Sequence, residues 1–546
     1  MTYTAHVDTF ARDHLPPREQ WPDLIFELPE LQYPERFNCA VELLDRNVVN
    51  GHGARVAIIG ADGIEWTYGE LLDRVNQIMH VLRDDMGLVP GNRVLLRGAN
   101  SPMYAACWLA VVKAGLVAVG TMPMLRAKEL VDVITKAEVG AALCDARLVD
   151  ELTAAQAQCP VLKTVVNFYD KSPAGLEARM AGRSTDCIAA PTAGDDTCMI
   201  AFTSGTTGKP KGTMHFHRDV LAASDCFPRS TLKATADDRF IGSPPLAFTF
   251  GLGGLLLFPL RVAASTVLLE KVTMDVLGAA IERFRATVLI TAPTSYRAGA
   301  LQILEGGARP DLSSLRKCVS AGEALPAATR KLWKDATGIE IIDGIGSTEM
   351  LHMFISHTEA EARPGATGKP IPGYQARVVD DAGKPVPPGQ VGRLAVKGPT
   401  GCRYLADERQ RTYVENGWNY TGDAYMVDAD GYFVYQARTD DMIISAGYNI
   451  AGPEVESALL LHPAVSECGV IGVADEQRGQ VVAAFVVLKP GHAGDAAMVK
   501  TLQDHVKQTI APYKYPRLVR FVDALPRTET GKLQRFRLRQ IGASGG

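Results

Sequence analysis

The chain has 546 residues, of which 47% are hydrophobic and 22% charged, with a formal net charge of −4. Such a length and composition fit an ordinary globular protein of several structural units. With 57 basic against 61 acidic residues and no basic arm, nothing favours a nucleic-acid partner.

The N-terminal stretch Met1-Thr-Tyr-Thr-Ala-His-Val-Asp8 lacks the basic region and apolar core of a signal peptide. The expectation is a cytoplasmic protein. Tyr68 to Asp85 carries Leu71, Leu72, Val75, Ile78, Met79 and Leu82 at helical spacing. The apolar tract Tyr104–Leu125 is interrupted by Lys113, glycines and Pro123. It reads as a buried helix, a turn and a strand, not a membrane span. Short apolar runs then alternate with helical stretches, among them Arg93–Leu96, Ala141–Cys144, Thr164–Val166, Thr266–Leu269, Thr287–Ile290 and Ile339–Ile342. That alternation predicts parallel sheets with helices on both faces.

The apolar run Cys198–Phe202 leads into Thr203-Ser204-Gly205-Thr206-Thr207-Gly208-Lys209-Pro210-Lys211-Gly212. Three glycines let backbone N–H groups converge on an anion, and four hydroxyls and two lysines add donors and charge suited to a polyphosphate. Thr203 and Pro210 stand where a Walker loop needs Gly and Ser or Thr, so this is a different phosphate loop. Just beyond it, His215 and His217 alternate as a metal pair on a strand would. No third ligand is evident, and packing or capping is the expected role.

Near residue 375 the pattern changes to antiparallel strands, Ala376–Asp380, Gly392–Val396 and Tyr432–Tyr435, with a hairpin turn at Asp428–Gly431. From about Asp440, short strands such as Ala483–Val487 mix with helices at Pro453–Leu461 and Met498–Ile510, enough for a small α+β unit. Ten scattered cysteines form no Cys-x-x-Cys pair, so reduced buried thiols are expected, not structural zinc.

The loop at 203–212 resembles the phosphate-loop signature of the adenylate-forming superfamily of acyl-CoA synthetases, adenylation domains and luciferases. Further motifs of that superfamily stand at Gly346-Ser-Thr-Glu349, Thr421-Gly-Asp423, Ala437–Gly447 and Pro526-Arg-Thr-Glu-Thr-Gly-Lys532, in its order and spacing. The resemblance implies an α/β fold. A large N-terminal domain (1–439) would combine parallel and mixed sheets flanked by helices with a distorted antiparallel barrel. A small mobile α+β lid (440–546) would follow, hinged at Asp440. It also implies a two-step reaction. A carboxylate attacks the α-phosphate of ATP, releasing pyrophosphate, and the thiol of coenzyme A then displaces AMP to leave a thioester.

Site roles follow from the same resemblance. Glu349 would hold Mg²⁺ and Thr348 would bond the α-phosphate. Asp423 would accept the ribose hydroxyls, and Arg438 would contact the nucleotide. Ser320, Gly322 and Glu323 would frame the adenine, and Asp343 and Gly344 would also line the ATP/AMP site. Lys532 would neutralise the attacking carboxylate and the bridging oxygen. Gly447, preceded by Ala446, would flank the pantetheine tunnel, and Arg478, Tyr513 and Tyr515 would touch the CoA nucleotide. Many relatives carry tyrosine immediately before Gly346, where this chain has Ile345.

For the acid, Ala247-Phe-Thr-Phe-Gly-Leu-Gly253 and Gly344–His352 resemble the benzoate-type aryl-CoA ligases. A pocket of Phe248, Thr249, Phe250, Ile345, Gly346, Met350 and His352 would suit a flat ring. Benzoate ligases tend to have alanine at the position of Thr249, whose hydroxyl could bond an ortho-amino group. The overall look is similar to 2-aminobenzoate-CoA ligases, with benzoate or another substituted benzoate as the alternative. An adenylating enzyme that loads a carrier protein would share every nucleotide motif. A homodimer is left open.

Overall fold

The computed structural model describes residues 3–203, 210–307, 309–445, 448–475, 477–527 and 532–543, without the side chains of residues 440, 449 and 543. Ser204–Lys209, Ala446 and Gly447, singled out above, lie outside the described residues.

Two sheets build the large N-terminal domain. One has six strands in the order Thr164–Phe168, Ala141–Asp145, Arg93–Arg97, Val117–Thr121, Thr197–Thr203, Lys211–Phe216; its first five are mutually parallel and the last is antiparallel. The other has nine strands. Its centre, running from Ile341–Gly346 through Lys317–Ser320, Val288–Thr291, Arg239–Gly242 and Ser265–Leu268 to Val56–Gly60, is parallel throughout.

Between them lies the helix Pro102–Lys113. Ser101 caps it through the Tyr104 N–H, and Pro102 occupies the first turn, where a missing N–H costs nothing. Eleven of its residues are buried, as expected of a helix apolar all round and covered on every side. Lys113 is buried too, its ammonium held by Asp45 at 2.5 Å and Asn76 at 2.7 Å. The helix Tyr68–His80 starts on a reciprocal cap between Thr67 and Glu70 and turns Leu71, Val75, Ile78 and Met79 inward. A single core cluster takes side chains from both sheets and both helices.

A five-stranded antiparallel sheet (Gln375–Val379, Val391–Lys397, Val414–Glu415, Trp418–Val427, Phe433–Arg438) stands where the distorted antiparallel barrel was expected. The small C-terminal domain is a second five-stranded mixed sheet with its own core, packed by the helices Gly452–Leu459 and Ala496–Thr509. All ten cysteines are free thiols, eight of them buried. Among the described residues no helix is long and apolar enough to cross a membrane.

Candidate active site

Parallel strands end with their carbonyls and following loops at one edge of a sheet, and that edge is where α/β proteins open a crevice. Here Thr203, Asp343–Glu349 and the antiparallel residues Thr421–Asp423 and Arg438 line one cleft of about 2200 Å³, closed on the far side by Tyr513, Arg527 and Lys532 of the C-terminal domain.

Glu349 is buried at the cleft wall. Its Oε1 accepts the Tyr404 hydroxyl at 2.5 Å and lies 3.4 Å from the Lys211 ammonium, which itself donates to the Tyr404 oxygen at 2.8 Å. Burial pushes the Glu349 pKa up, but the Lys211 charge and the Tyr404 hydrogen bond outweigh it, so the group stays below the usual carboxylate range and ionised. Thr348 lines the cleft beside it, and its carbonyl accepts His215 Nε2–H at 2.8 Å.

The two histidines do not pair. His215 sits on the strand Lys211–Phe216, whereas His217 opens the next helix, so they do not share a strand face. His217 Nδ1 accepts the Cys39 N–H at 3.1 Å, and the potential ligand atoms of Cys39, Cys198 and His217, all buried, lie within 4.8 Å of one another.

Asp423 and Arg438 are cross-strand partners in register, with Arg438 Nη1 donating to Asp423 Oδ1 at 3.0 Å and to the Thr421 carbonyl at 2.9 Å. Burial raises the Asp423 pKa, and the Arg438 charge only partly offsets it. Asp343, within the strand Ile341–Gly346, is buried at the cleft wall and pushed up to about 7, chiefly by that burial. Its Oδ1 has no hydrogen-bond partner among the described residues, nor does the buried Ser320 hydroxyl or that of Thr203. Gly344, Ile345 and Gly346 follow along the same wall.

Lys532 enters from the C-terminal domain. Loss of surrounding water lowers its pKa, opposed by Glu323, Asp423 and Glu349, which all act on it across the cleft. Gly322 has φ +91°, and a β-carbon there would lie 3.7 Å from Lys532 Cε. The Glu323 carboxylate turns to the C-terminal domain and accepts the Leu533 N–H at 2.8 Å. Arg478 and Tyr515 are on the same domain, Arg478 anchored through its N–H to Asp475 and Tyr515 flanked by Lys507 and Arg517. Tyr513 stacks at a tilt on Tyr448, with ring centres 4.7 Å apart.

The residues chosen for the acid separate into two groups. Ile345 and Gly346 line the cleft, whereas Phe248, Thr249, Phe250, Met350 and His352 do not; Met350 is wholly buried in the main core, and Thr249 and His352 are buried too. Thr249 opens a short buried helix, Thr249–Leu252, immediately after Phe248. His352 stands in an aromatic box, with ring centres 4.5 Å from Phe258, 5.7 Å from Phe250 and 6.0 Å from Phe227. Burial drives its pKa down to about 3, so the ring is neutral. Nε2 faces the Phe250 carbonyl at 3.4 Å and therefore carries the proton; Nδ1 is left as a buried acceptor with no partner among the described residues.

The AMP-binding enzyme family matches residues 45–404, and its C-terminal domain matches residues 454–532. The chain belongs to the AMP-binding enzyme family. It is 36% identical over 520 residues to the benzoate–CoA ligase of Thauera aromatica, covering 94% of this chain and 97% of that one. It is 32% identical to the 4-hydroxybenzoate–CoA/benzoate–CoA ligase of Rhodopseudomonas palustris, over 93% and 95% of the two chains. Among solved structures, the anthranilate CoA ligase AuaEII in complex with anthranoyl-AMP superposes with a TM-score of 0.89 at 36% identity, over 94% of this chain and 99% of that one. A benzoate CoA ligase from Burkholderia xenovorans gives 0.83 at 33% identity, over 92% and 100%.

This family member is an AMP-forming acid–thiol ligase of the aryl-CoA type, using ATP and CoA. Two residues at the cleft escaped the sequence reading. Tyr404 lies in Gly-Cys-Arg-Tyr, a segment with no motif of its own, and Arg527 stands inside the Pro526–Lys532 motif but was given no role there. Only the fold brings them to Glu349 and Glu323.

Proposed function

We propose that the enzyme activates 2-aminobenzoate in two half-reactions. In the first, a carboxylate oxygen of the acid forms a bond to the α-phosphorus of ATP and the bond to pyrophosphate breaks. In the second, the thiolate of CoA bonds to the acyl carbon and AMP departs with the carboxyl oxygen. The 203–212 loop would cradle the outer phosphates, Thr348 the α-phosphate, and Asp423 with Arg438 the ribose end. Asp343, Ser320, Gly322 and Gly344 would frame the adenine, with Ile345 in apolar contact.

Lys532 serves the first half-reaction by placing an ammonium between the incoming carboxylate and the α-phosphate. The Glu349 carboxylate, ionised and aimed at the cleft, fits a hard cation, and Glu349 would hold Mg²⁺. Bound there, Mg²⁺ would supply charge neutralisation to the polyphosphate. For the second half-reaction the unit 440–546 would swing about Asp440, bringing Ala446 and Gly447 to the pantetheine and Arg478, Tyr513 and Tyr515 to the CoA nucleotide.

The preference for an ortho-amino ring rests on His352. Its neutral ring leaves Nδ1 as a buried acceptor inside an aromatic box, and the exocyclic amino group of 2-aminobenzoate is a donor of the kind that this nitrogen lacks. The likeness to a ligase solved with anthranoyl-AMP supports the same reading. The deciding experiment is pyrophosphate release with ATP and CoA over benzoate, 2-aminobenzoate and fatty acids, for wild type and His352→Phe. Wild type should favour 2-aminobenzoate over benzoate, and the variant should lose roughly tenfold of that ratio, the worth of one buried hydrogen bond. A ratio unchanged by the substitution refutes the role of His352, and a wild type that prefers benzoate refutes the assigned acid.

A further inference from the structure

The loop that carries Lys532 has a defined neck. Gln534 N–H donates to the Pro526 carbonyl at 2.8 Å, and Arg527 and Leu533 face each other across an antiparallel bridge. Lys532 stands next to this neck, so what holds the neck holds the backbone from which the ammonium reaches. Within the C-terminal domain, Arg527 Nη2 is paired with Glu467 at 2.6 Å.

One carboxylate of the large domain touches both sides of the neck. Glu323 Oε1 accepts the Leu533 N–H at 2.8 Å and lies 3.9 Å from Arg527 Nη1. Gly322, just before Glu323, has φ +91°, and a β-carbon added there would sit 3.7 Å from Lys532 Cε. Two further contacts between the domains among the described residues lie elsewhere. Arg297 donates to the carbonyls of Ser466 and Val465 at 2.8 and 3.1 Å, and Lys489 pairs with the exposed Glu305. They seat the body of the C-terminal domain, whereas Glu323 alone among these holds the base of the Lys532 loop.

We propose that Glu323 is a positioning residue, not a nucleotide ligand: it latches the Lys532 loop against the large domain for adenylate formation and must release Leu533 before the thiol can reach the acyl carbon. Burial raises the Glu323 pKa while Arg527, the Leu533 N–H and Lys532 lower it, so the carboxylate depends on the closed lid for its partners. An ammonium displaced by about an ångström loses most of its effect on a phosphoryl transfer. The latch therefore acts on one half-reaction only. The inference rests on the two-step reading above, with Lys532 serving the first step.

The test compares wild type, Glu323→Ala, Glu323→Gln and Lys532→Ala in two assays: ATP–pyrophosphate exchange with 2-aminobenzoate, and thioester formation from synthetic 2-aminobenzoyl-adenylate and CoA. Glu323→Ala should slow exchange about 10–100-fold at an unaltered KM for ATP, with thioester formation undiminished. Glu323→Gln keeps an oxygen to accept the Leu533 N–H and should recover part of the loss. Retained thioester formation also reports a folded protein. Equal loss in both assays, or a raised KM for ATP at unchanged kcat, would overturn the latch. Normal exchange by Lys532→Ala would instead overturn the underlying assignment of Lys532.

Discussion

Tyr404 donates its hydroxyl to Glu349 Oε1 at 2.5 Å while accepting from Lys211, so one phenol sets the distance between the acidic and basic groups of the cleft floor. A hydrogen bond to an ionised carboxylate is among the stronger ones, about 1.5–3 kcal/mol. Tyr404→Phe keeps the ring packing and removes both that bond and the one the phenol oxygen accepts from Lys211. The expected outcome is a Mg²⁺ requirement shifted to higher concentration and kcat/KM for ATP reduced about tenfold, with the melting temperature little changed. Pyrophosphate release titrated with Mg²⁺ checks it, and an unaltered titration refutes a role for Tyr404 at this site.

Lys532→Ala should abolish adenylate formation, by about a hundredfold or more, yet leave thioester formation from supplied acyl-adenylate largely intact. The two half-reactions, assayed separately, decide it. Comparable losses would mean that Lys532 supports the whole structure and not the first step.

Asp343 makes a prediction about pH. Its folded pKa of about 7 lies above the ordinary aspartate value of 3.8, so the folded protein binds this proton more tightly than the unfolded chain. The favourable contribution is complete below the unfolded value and is lost as pH rises from there to the folded value. Asp343→Asn removes the ionisation, so its melting temperature relative to wild type should climb between pH 5 and pH 8, by about a few degrees. Thermal melts at the two pH values measure it, and a gap independent of pH would show that Asp343 is not held protonated.

Gly422 tests the ribose end of the cleft. Its φ is +76°, and a β-carbon would come within 2.7 Å of Arg438 Nη2. Gly422→Ala therefore strains the backbone and pushes Arg438 off Asp423. A loss of about 1–2 kcal/mol of stability is expected, with a KM for ATP raised several-fold. An unperturbed KM would separate the Asp423–Arg438 pair from nucleotide binding.

Much of this was legible in the chain itself. Local patterns carried the alternating strands and helices, the buried helix at Pro102–Lys113 and the turn at Asp428–Gly431, because hydrophobic periodicity and turn chemistry are properties of neighbouring residues. Strand ends were less sharp: Ile339–Ile342 was read where Ile341–Gly346 forms, since pairing with Lys317–Ser320 decides where the ladder begins. His215 and His217 would share a face only if both stood on a strand, and alternation alone cannot see that a helix starts at His217.

The sequence by itself determined the chemistry class, since glycine spacing, hydroxyls and a few charged motifs define an acid-activating enzyme wherever they occur in order. Only the tertiary structure decided what those groups do to one another. Tyr404 reaches Glu349 across 55 residues, and Glu323 reaches Leu533 across 210. Contacts of that separation leave no periodic trace, because the sheets and the lid, not the local chain, bring the partners together. The same holds for charge. Asp343 and Glu349 are both buried carboxyls, yet one is raised and the other lowered, and the difference is a lysine and a phenol that folding places beside only one of them.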